Sequence, residues 1–258
     1  RLIKGSAQVE SVREAPEDDE AAQNLPQPAE VEAALTEDTR AIVVTNLHNP
    51  SGVYAAREEL EAVGELARSI GAKVIVDEVY LDAVEAVDST PAAAISDVFV
   101  STNSLTKSYG LAGLRVGWIL GDPDTVERAL RVRDVVDGVG SIPSETMGVI
   151  AFERLDDLLD RARRVLGAGQ ALMRDFVEGR PELEWVPPAG GGVAFPRLVG
   201  VDDAGPFVEL AGDRFDVGVT PGRLFGAPEH FRVAVAGERD VLEAGLQLLG
   251  RALDHGLP

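Results

Sequence analysis

Cysteine is absent from the 258 residues, so they can build neither a disulfide framework nor a thiolate metal site. Histidine is scarce. His48, His230 and His255 are too few and too scattered to suggest a metal centre, and no metal is expected. Positive charge is outnumbered, with 24 Lys and Arg against 44 Asp and Glu and a net charge of −20. Nucleic acid is therefore not an expected partner, because neutralising phosphates needs a basic face. No apolar run approaches the ~20 residues of a membrane helix, and no signal-peptide pattern is seen; no membrane partner is expected, and the expected location is the cytoplasm. Lysine occurs only three times, as Lys4, Lys73 and Lys107.

The setting of Lys107 is unusual. An apolar run at 98–100 leads into a cluster of small hydroxyl residues, Ser101, Thr102, Ser104, Thr106 and Ser108. Gly110, Gly113 and Gly117 follow, with Arg115 among them and a second apolar run at 116–120. An ammonium held in a buried setting is costly to desolvate unless it is paired or neutralised. Desolvation lowers its pKa, which is what an amine nucleophile forming a Schiff base requires. The hydroxyls and Arg115 suit a phosphate, which arginine grips bidentately. Taken alone, the stretch also reads as an ordinary Ser/Gly-rich loop.

The surrounding pattern is that of an α/β fold. Continuous apolar runs at 41–45, 73–77 and 97–101 have strand length and fit a parallel sheet buried on both faces. Leu60, Val63, Leu66, Ala67 and Ile70 recur at helical spacing over 57–70, with Gly71 as a cap. A shorter helix is expected over 28–35, with Pro28 at its head. In such sheets ligands collect at the carboxyl ends of strands, where Asn49, Asp77 with Tyr80, and Lys107 all fall. Helices are expected at 124–136, 145–155 and 156–178, the last weakened by Gly167 and Gly169. Short strands at 183–186, 192–195, 217–220 and 231–236 follow, then a helix over 240–253. A domain change near Arg154 divides a large α/β domain (1–154) from a smaller α+β domain (155–258). Ahead of residue 28, apolar spots at Leu2, Ile3, Val9 and Val12 precede an acidic loop over 14–20. Trp118 is expected in the core, His48 in a turn, and His230 and His255 on the surface.

Three segments carry a resemblance: NPSG at 49–52, DEVY at 77–80, and SLTK at 104–107 with Arg115. In order and spacing they resemble the fold-type-I pyridoxal-phosphate enzymes, and more narrowly the class I/II aminotransferases. The likeness continues through TPG at 220–222, FG at 225–226 and the run FRVAV at 231–235, and so covers nearly the whole chain. It implies fold type I, with part of a mostly parallel large-domain sheet and a smaller α+β C-terminal domain. It implies pyridoxal 5'-phosphate as cofactor and an amino acid and a 2-oxo acid as substrates. A homodimer is implied for the full-length protein.

Residue by residue, the resemblance makes Lys107 the Schiff-base amine and proton carrier. Asp77 would keep the pyridine nitrogen protonated, making the ring an electron sink. Tyr80 and Asn49 would bind the ring oxygen, and Asn49 would also approach the substrate. Ser104 and Arg115 would bind the phosphate, Gly110 and Gly113 would let backbone pass close to the cofactor, and Arg232 would grip the substrate α-carboxylate. Against the family, the sequence opens about a hundred residues into the large domain. That leading part is expected to supply a glycine-rich helix N-terminus for the phosphate and an aromatic stacked on the ring. These residues are therefore expected to be an incomplete catalytic unit. A β-lyase or eliminase uses the same lysine and aspartate, and an aminotransferase-like sensor lobe of a transcription regulator shares the same fold; both readings stay open. A lobe with a decayed site is disfavoured by the intact Lys107, Asp77, Tyr80 and Arg232.

Overall fold

Four strands form the main sheet: β1 (Ala41–Thr45), β2 (Lys73–Asp77), β3 (Phe99–Ser104) and β4 (Gly117–Leu120). They lie in the order β1-β2-β3-β4, the first three parallel and β4 antiparallel at the edge. The computed structural model describes residues 28–136 and 138–256; the features expected over 1–27 lie outside them. The apolar runs set β1 and β2. β3 begins two residues later than the run suggests and extends to Ser104, because β4 supplies ladder partners from Ser101↔Leu120 to Ser104↔Gly117.

Helix α1 (Pro28–Ala34) precedes β1, and α2 (Arg57–Ser69) makes the crossover between β1 and β2. Glu59 reaches back to the Ala56 N–H (2.7 Å), satisfying a donor that the first turn of α2 leaves open. Leu60, Val63 and Ala67 of α2 pack on Val74, Val76 and Phe99 of the sheet. Gly64 permits the close approach, since a Cβ there would stand 2.7 Å from the Phe99 ring. Burying a side chain such as Phe99 contributes on the order of 2–3 kcal/mol. The expectation that β1 is buried on both faces does not hold. Ile42 and Val44 pack under α2, but Val43 on the opposite face is 57% exposed. Alternation sends every second side chain of this edge strand to a face that the described residues do not cover.

After β4 come α3 (Pro123–Val136), α4 (Ile142–Phe152) and the 24-residue α5 (Leu155–Glu178). Gly167 and Gly169 do not break α5. A Cβ at Gly169 would lie 2.1 Å from the Val235 carbonyl oxygen, so the glycine is where the helix backbone meets another strand's exit. The amino-terminal half of α5 packs beside the main sheet, through Leu158 and Leu159 against the Leu105–Tyr109 cluster and Ala162 and Leu166 against Ala83. Its other half, with Met173 and Val177, joins a separate core containing Phe207, Phe231 and Leu249. That core is closed by α6 (Gly205–Phe215), α7 (Arg239–Asp254), the pair β5 (Leu183–Glu184) and β7 (Arg197–Leu198), and the antiparallel sheet of β6 (Val193–Ala194), β9 (Phe231–Ala234) and β8 (Thr220–Pro221).

Candidate active site

The carboxyl ends of β1, β2 and β3 open onto one cavity of about 460 Å³. Asn49, Asp77, Tyr80, Lys107 and Arg232 all line it, with Thr45, Thr106 and Thr220 as further polar groups. Leu47, Val79, Leu166, Val193 and Ala234 supply apolar wall.

Asn49 arrives on the loop after β1. Buried Asn46 staples that loop, its Oδ1 accepting from the Ala55 N–H (3.0 Å) and its Nδ2 donating to the Ala55 carbonyl (3.1 Å). The peptides Asn46–Leu47 and Asn49–Pro50 are cis. His48 serves the turn, as expected: its Nδ1 lies 2.7 Å from Ser51 Oγ. Gly52 has a positive φ of 74°, and a Cβ there would lie 2.5 Å from Pro188 Cβ, so both conformation and space require glycine.

Asp77 ends β2 in register with Thr45 and Thr102 of the neighbouring strands. Its Oδ1 accepts from the Val79 N–H at 3.3 Å. Tyr80 is half-buried beside it. Burial raises the Tyr80 pKa; the Arg232 guanidinium draws it down and the Asp77 carboxylate pushes it up. Glu78, next to Asp77, turns the other way into the core. It accepts from the Ala92 N–H (2.7 Å) and Ser101 Oγ (2.9 Å), and burial raises its pKa to about 7.

Lys107 follows β3 in a tight turn in which Leu105, Ser108 and Tyr109 are buried. Lys107 itself is exposed at the cavity rim, which corrects the expectation of a buried lysine. Its neighbours are tied elsewhere, with Ser108 Oγ donating to the Val79 carbonyl (2.7 Å) and Tyr109 Oη to Asp82 (2.7 Å). Among the described residues, the Lys107 amine has neither a hydrogen bond nor an ion pair.

Arg232 enters from β9 of the other lobe. Its Nη1 donates to Asn49 Oδ1 (3.0 Å), and its guanidinium lies 4.9 Å from the centre of the Phe225 ring. Ser104 and Arg115 are not brought into the cavity wall. Ser104 Oγ accepts from the Thr106 N–H (3.3 Å), and Arg115, exposed and left-handed at φ 55°, donates to the Ala112 carbonyl (3.4 Å). The Ser104↔Gly117 pairing nevertheless sets both at the same end of the β3–β4 ladder. Gly110, at φ 71°, turns the chain between them.

Several contributors carry no local signal in the sequence. Gly192, Val193, Gly218 and Val219 line the cavity from the second lobe, and Asp82 binds Tyr109 of the lysine loop from 27 positions away. His230, expected at the surface, is fully buried, stacked on Phe195 at 4.7 Å between centroids. Its Nδ1 lies 3.0 Å from the carboxylate of neighbouring Glu229. His255 is exposed, and Trp118 packs between Tyr109 and Phe152.

Comparison with known proteins gives a consistent picture. A family described as aminotransferase class I and II matches residues 6–249. Capreomycidine synthase of Streptomyces vinaceus is 32% identical over 87% of the chain and 58% of its own length. Histidinol-phosphate aminotransferase 2 of Pseudomonas fluorescens is 32% identical over 85% of the chain and 58% of its own length. The crystal structure of a PLP-dependent aminotransferase from Streptococcus suis superposes with a TM-score of 0.87 and 24% identity, covering 93% of the chain and 64% of that protein, and so shares the fold. The chain spans about three fifths of the length of the curated relatives it matches.

Proposed function

The chain belongs to the class I and II aminotransferases, and from that premise we propose that the full-length protein is a pyridoxal-phosphate-dependent transaminase, exchanging an amino group between an α-amino acid and a 2-oxo acid. One observation carries the reading: an amine, a carboxylate, a phenol, an amide and a guanidinium converge from three parallel strand ends and a second lobe onto one cavity. That donor set fits the ring end of the cofactor. When bound, pyridoxal phosphate supplies an aldehyde that condenses with amines and a pyridinium ring that takes up the electron pair released at the substrate Cα.

Lys107 Nζ is the nucleophile that anchors the cofactor and afterwards carries the proton at the substrate Cα. Lacking a partner in the cavity, it is available for both tasks. Asp77 holds a proton on the ring nitrogen, and its place at the end of β2 beside Tyr80 supports this. Tyr80 and Asn49 bind the ring oxygen. Arg232, already oriented by Asn49 and Phe225, takes the substrate α-carboxylate. Ser104 and Arg115, at one end of the β3–β4 ladder, bind the phosphate. The division into a large domain to residue 154 and a small one from 155 belongs to the same reading. The full-length protein works as a homodimer in the cytoplasm; exposed Val135, Ile142 and Val149 around the α3–α4 junction support a covered face there.

A second reading has one observation in its favour: a 32% identical relative is a synthase rather than a transaminase. The same lysine and aspartate serve an eliminating or cyclising enzyme, whose product leaves without regenerating an amino acid from a 2-oxo acid. Incubating the full-length holoenzyme with an amino donor panel and 2-oxoglutarate separates the two. Transamination yields glutamate in step with donor loss; ammonia release without glutamate assigns the eliminase.

A further inference from the structure

We propose that Asp82 is the positioning residue for Lys107, holding the lysine turn in register with the segment that presents Asp77 and Tyr80. The inference rests on the role given to Lys107 above and adds a residue that the reading of the site does not use.

Asp82 sits in the single turn of 3₁₀-helix Leu81–Ala83, directly after Tyr80. One of its oxygens, Oδ2, accepts two hydrogen bonds. The first comes from Asn103 Nδ2 (2.8 Å), four residues before the lysine, and the second from Tyr109 Oη (2.7 Å), two residues after it. The carboxylate therefore clamps both flanks of the Lys107 turn to the segment following β2. A third tie runs in parallel, since the Ser108 N–H and Oγ both meet the Val79 carbonyl (3.3 and 2.7 Å). Asn103 passes the constraint on, its Oδ1 accepting from the Ser104 N–H at 2.7 Å.

The chemistry calls for an anion at this point. Two donors converging on one oxygen are best served by a charged acceptor, because charge-assisted bonds are roughly twice as strong as neutral ones. The donors are held from behind. Tyr109 is buried, with its ring against Trp118, and Asn103 lies within β3. Burial and the Asp82 carboxylate both disfavour ionisation of Tyr109, so the phenol remains a donor. Nothing in this network touches Lys107 Nζ. Its effect is on where the amine stands, and misplacement by about 1 Å is enough to cost a reacting pair about a hundredfold in rate.

The test uses the full-length protein stripped of cofactor, with pyridoxal phosphate added back. Samples are quenched with borohydride at intervals, and labelled Lys107 is quantified by peptide mass. The expected result is a labelling rate lowered about tenfold or more in Asp82→Ala, with smaller losses of about threefold in Asp82→Asn and Tyr109→Phe. In steady-state assays the same variants lower kcat while KM for the amino donor stays within about twofold, because Arg232 is untouched. Should Asp82→Ala fail to fold, Asp82→Asn and Tyr109→Phe, which keep the side-chain shapes, carry the decision. Labelling rates equal to wild type in the folded variants overturn the proposal. If wild type itself is not labelled at Lys107, the role assigned to that lysine fails first, and the clamp loses its purpose with it.

Discussion

Two lysines stand at opposite ends of the same sheet, and their surroundings could hardly differ more. Lys73 opens β2. Its ammonium donates to the Asp122 carboxylate (2.8 Å) and to the Asp97 carbonyl (2.7 Å). The pair holds the Asp122 carboxyl well below the usual range. Lys107 follows β3 at the carboxyl end, where neighbouring polar groups such as Ser108 and Tyr109 bond to backbone or to Asp82 and its amine has no partner among the described residues. The first lysine is spent on structure and the second is kept available. The same division appears between neighbours at the end of β2. Glu78 is turned inward and tied to Ala92 and Ser101, while Asp77 faces the cavity. For Lys107, availability comes from what the described residues around it decline to bond; for Asp77 it comes from facing the cavity.

The contrast is broken most severely by exchanging the two lysines for alanine in the full-length enzyme. Lys107→Ala is expected to lower kcat by about a thousandfold or more, whereas Lys73→Ala leaves kcat within about twofold and lowers the melting temperature only slightly. Asp77→Asn tests the outward acid. Losing the fixed charge opposite the ring nitrogen is expected to cost about a hundredfold in kcat, with cofactor still bound. Arg232→Lys keeps the charge but loses the planar fork. KM for the amino donor should rise about ten- to fiftyfold, with kcat less affected.

Glu78→Gln acts on stability rather than turnover and sharpens the inward half of the comparison. Glu78 has a raised pKa, from 4.5 to about 7 in the folded protein. Below the lower value both folded and unfolded chains hold the proton. Between the two, the unfolded chain releases it first, so stability falls as pH rises and levels off above about 7. Denaturant titrations should therefore show Glu78→Gln gaining about 1–3 kcal/mol on wild type between pH 4 and pH 8.

Much of this arrangement is legible along the chain. The runs that became β1 and β2 are continuous, bounded by polar residues, and of a length that identifies them. Asn49, Asp77, Tyr80 and Lys107 stand where strand ends put ligands. What was hidden depends on distance in sequence or on the absence of a side chain. Gly169 reads in sequence only as a weak point of its helix because its partner, the Val235 carbonyl, lies 66 positions away. Asp82 carries no motif, and its meaning comes only when Asn103 and Tyr109 converge on it. His230 is buried by its stack on Phe195, a contact across 35 positions that no local pattern shows.

Which amine takes the cofactor decides the role of Lys107. Full-length protein equilibrated with pyridoxal phosphate, reduced with borohydride and digested should yield a single modified peptide containing Lys107, with Lys73 unmodified. Modification of Lys73, or a fully active enzyme with Lys107 unmodified, would contradict it.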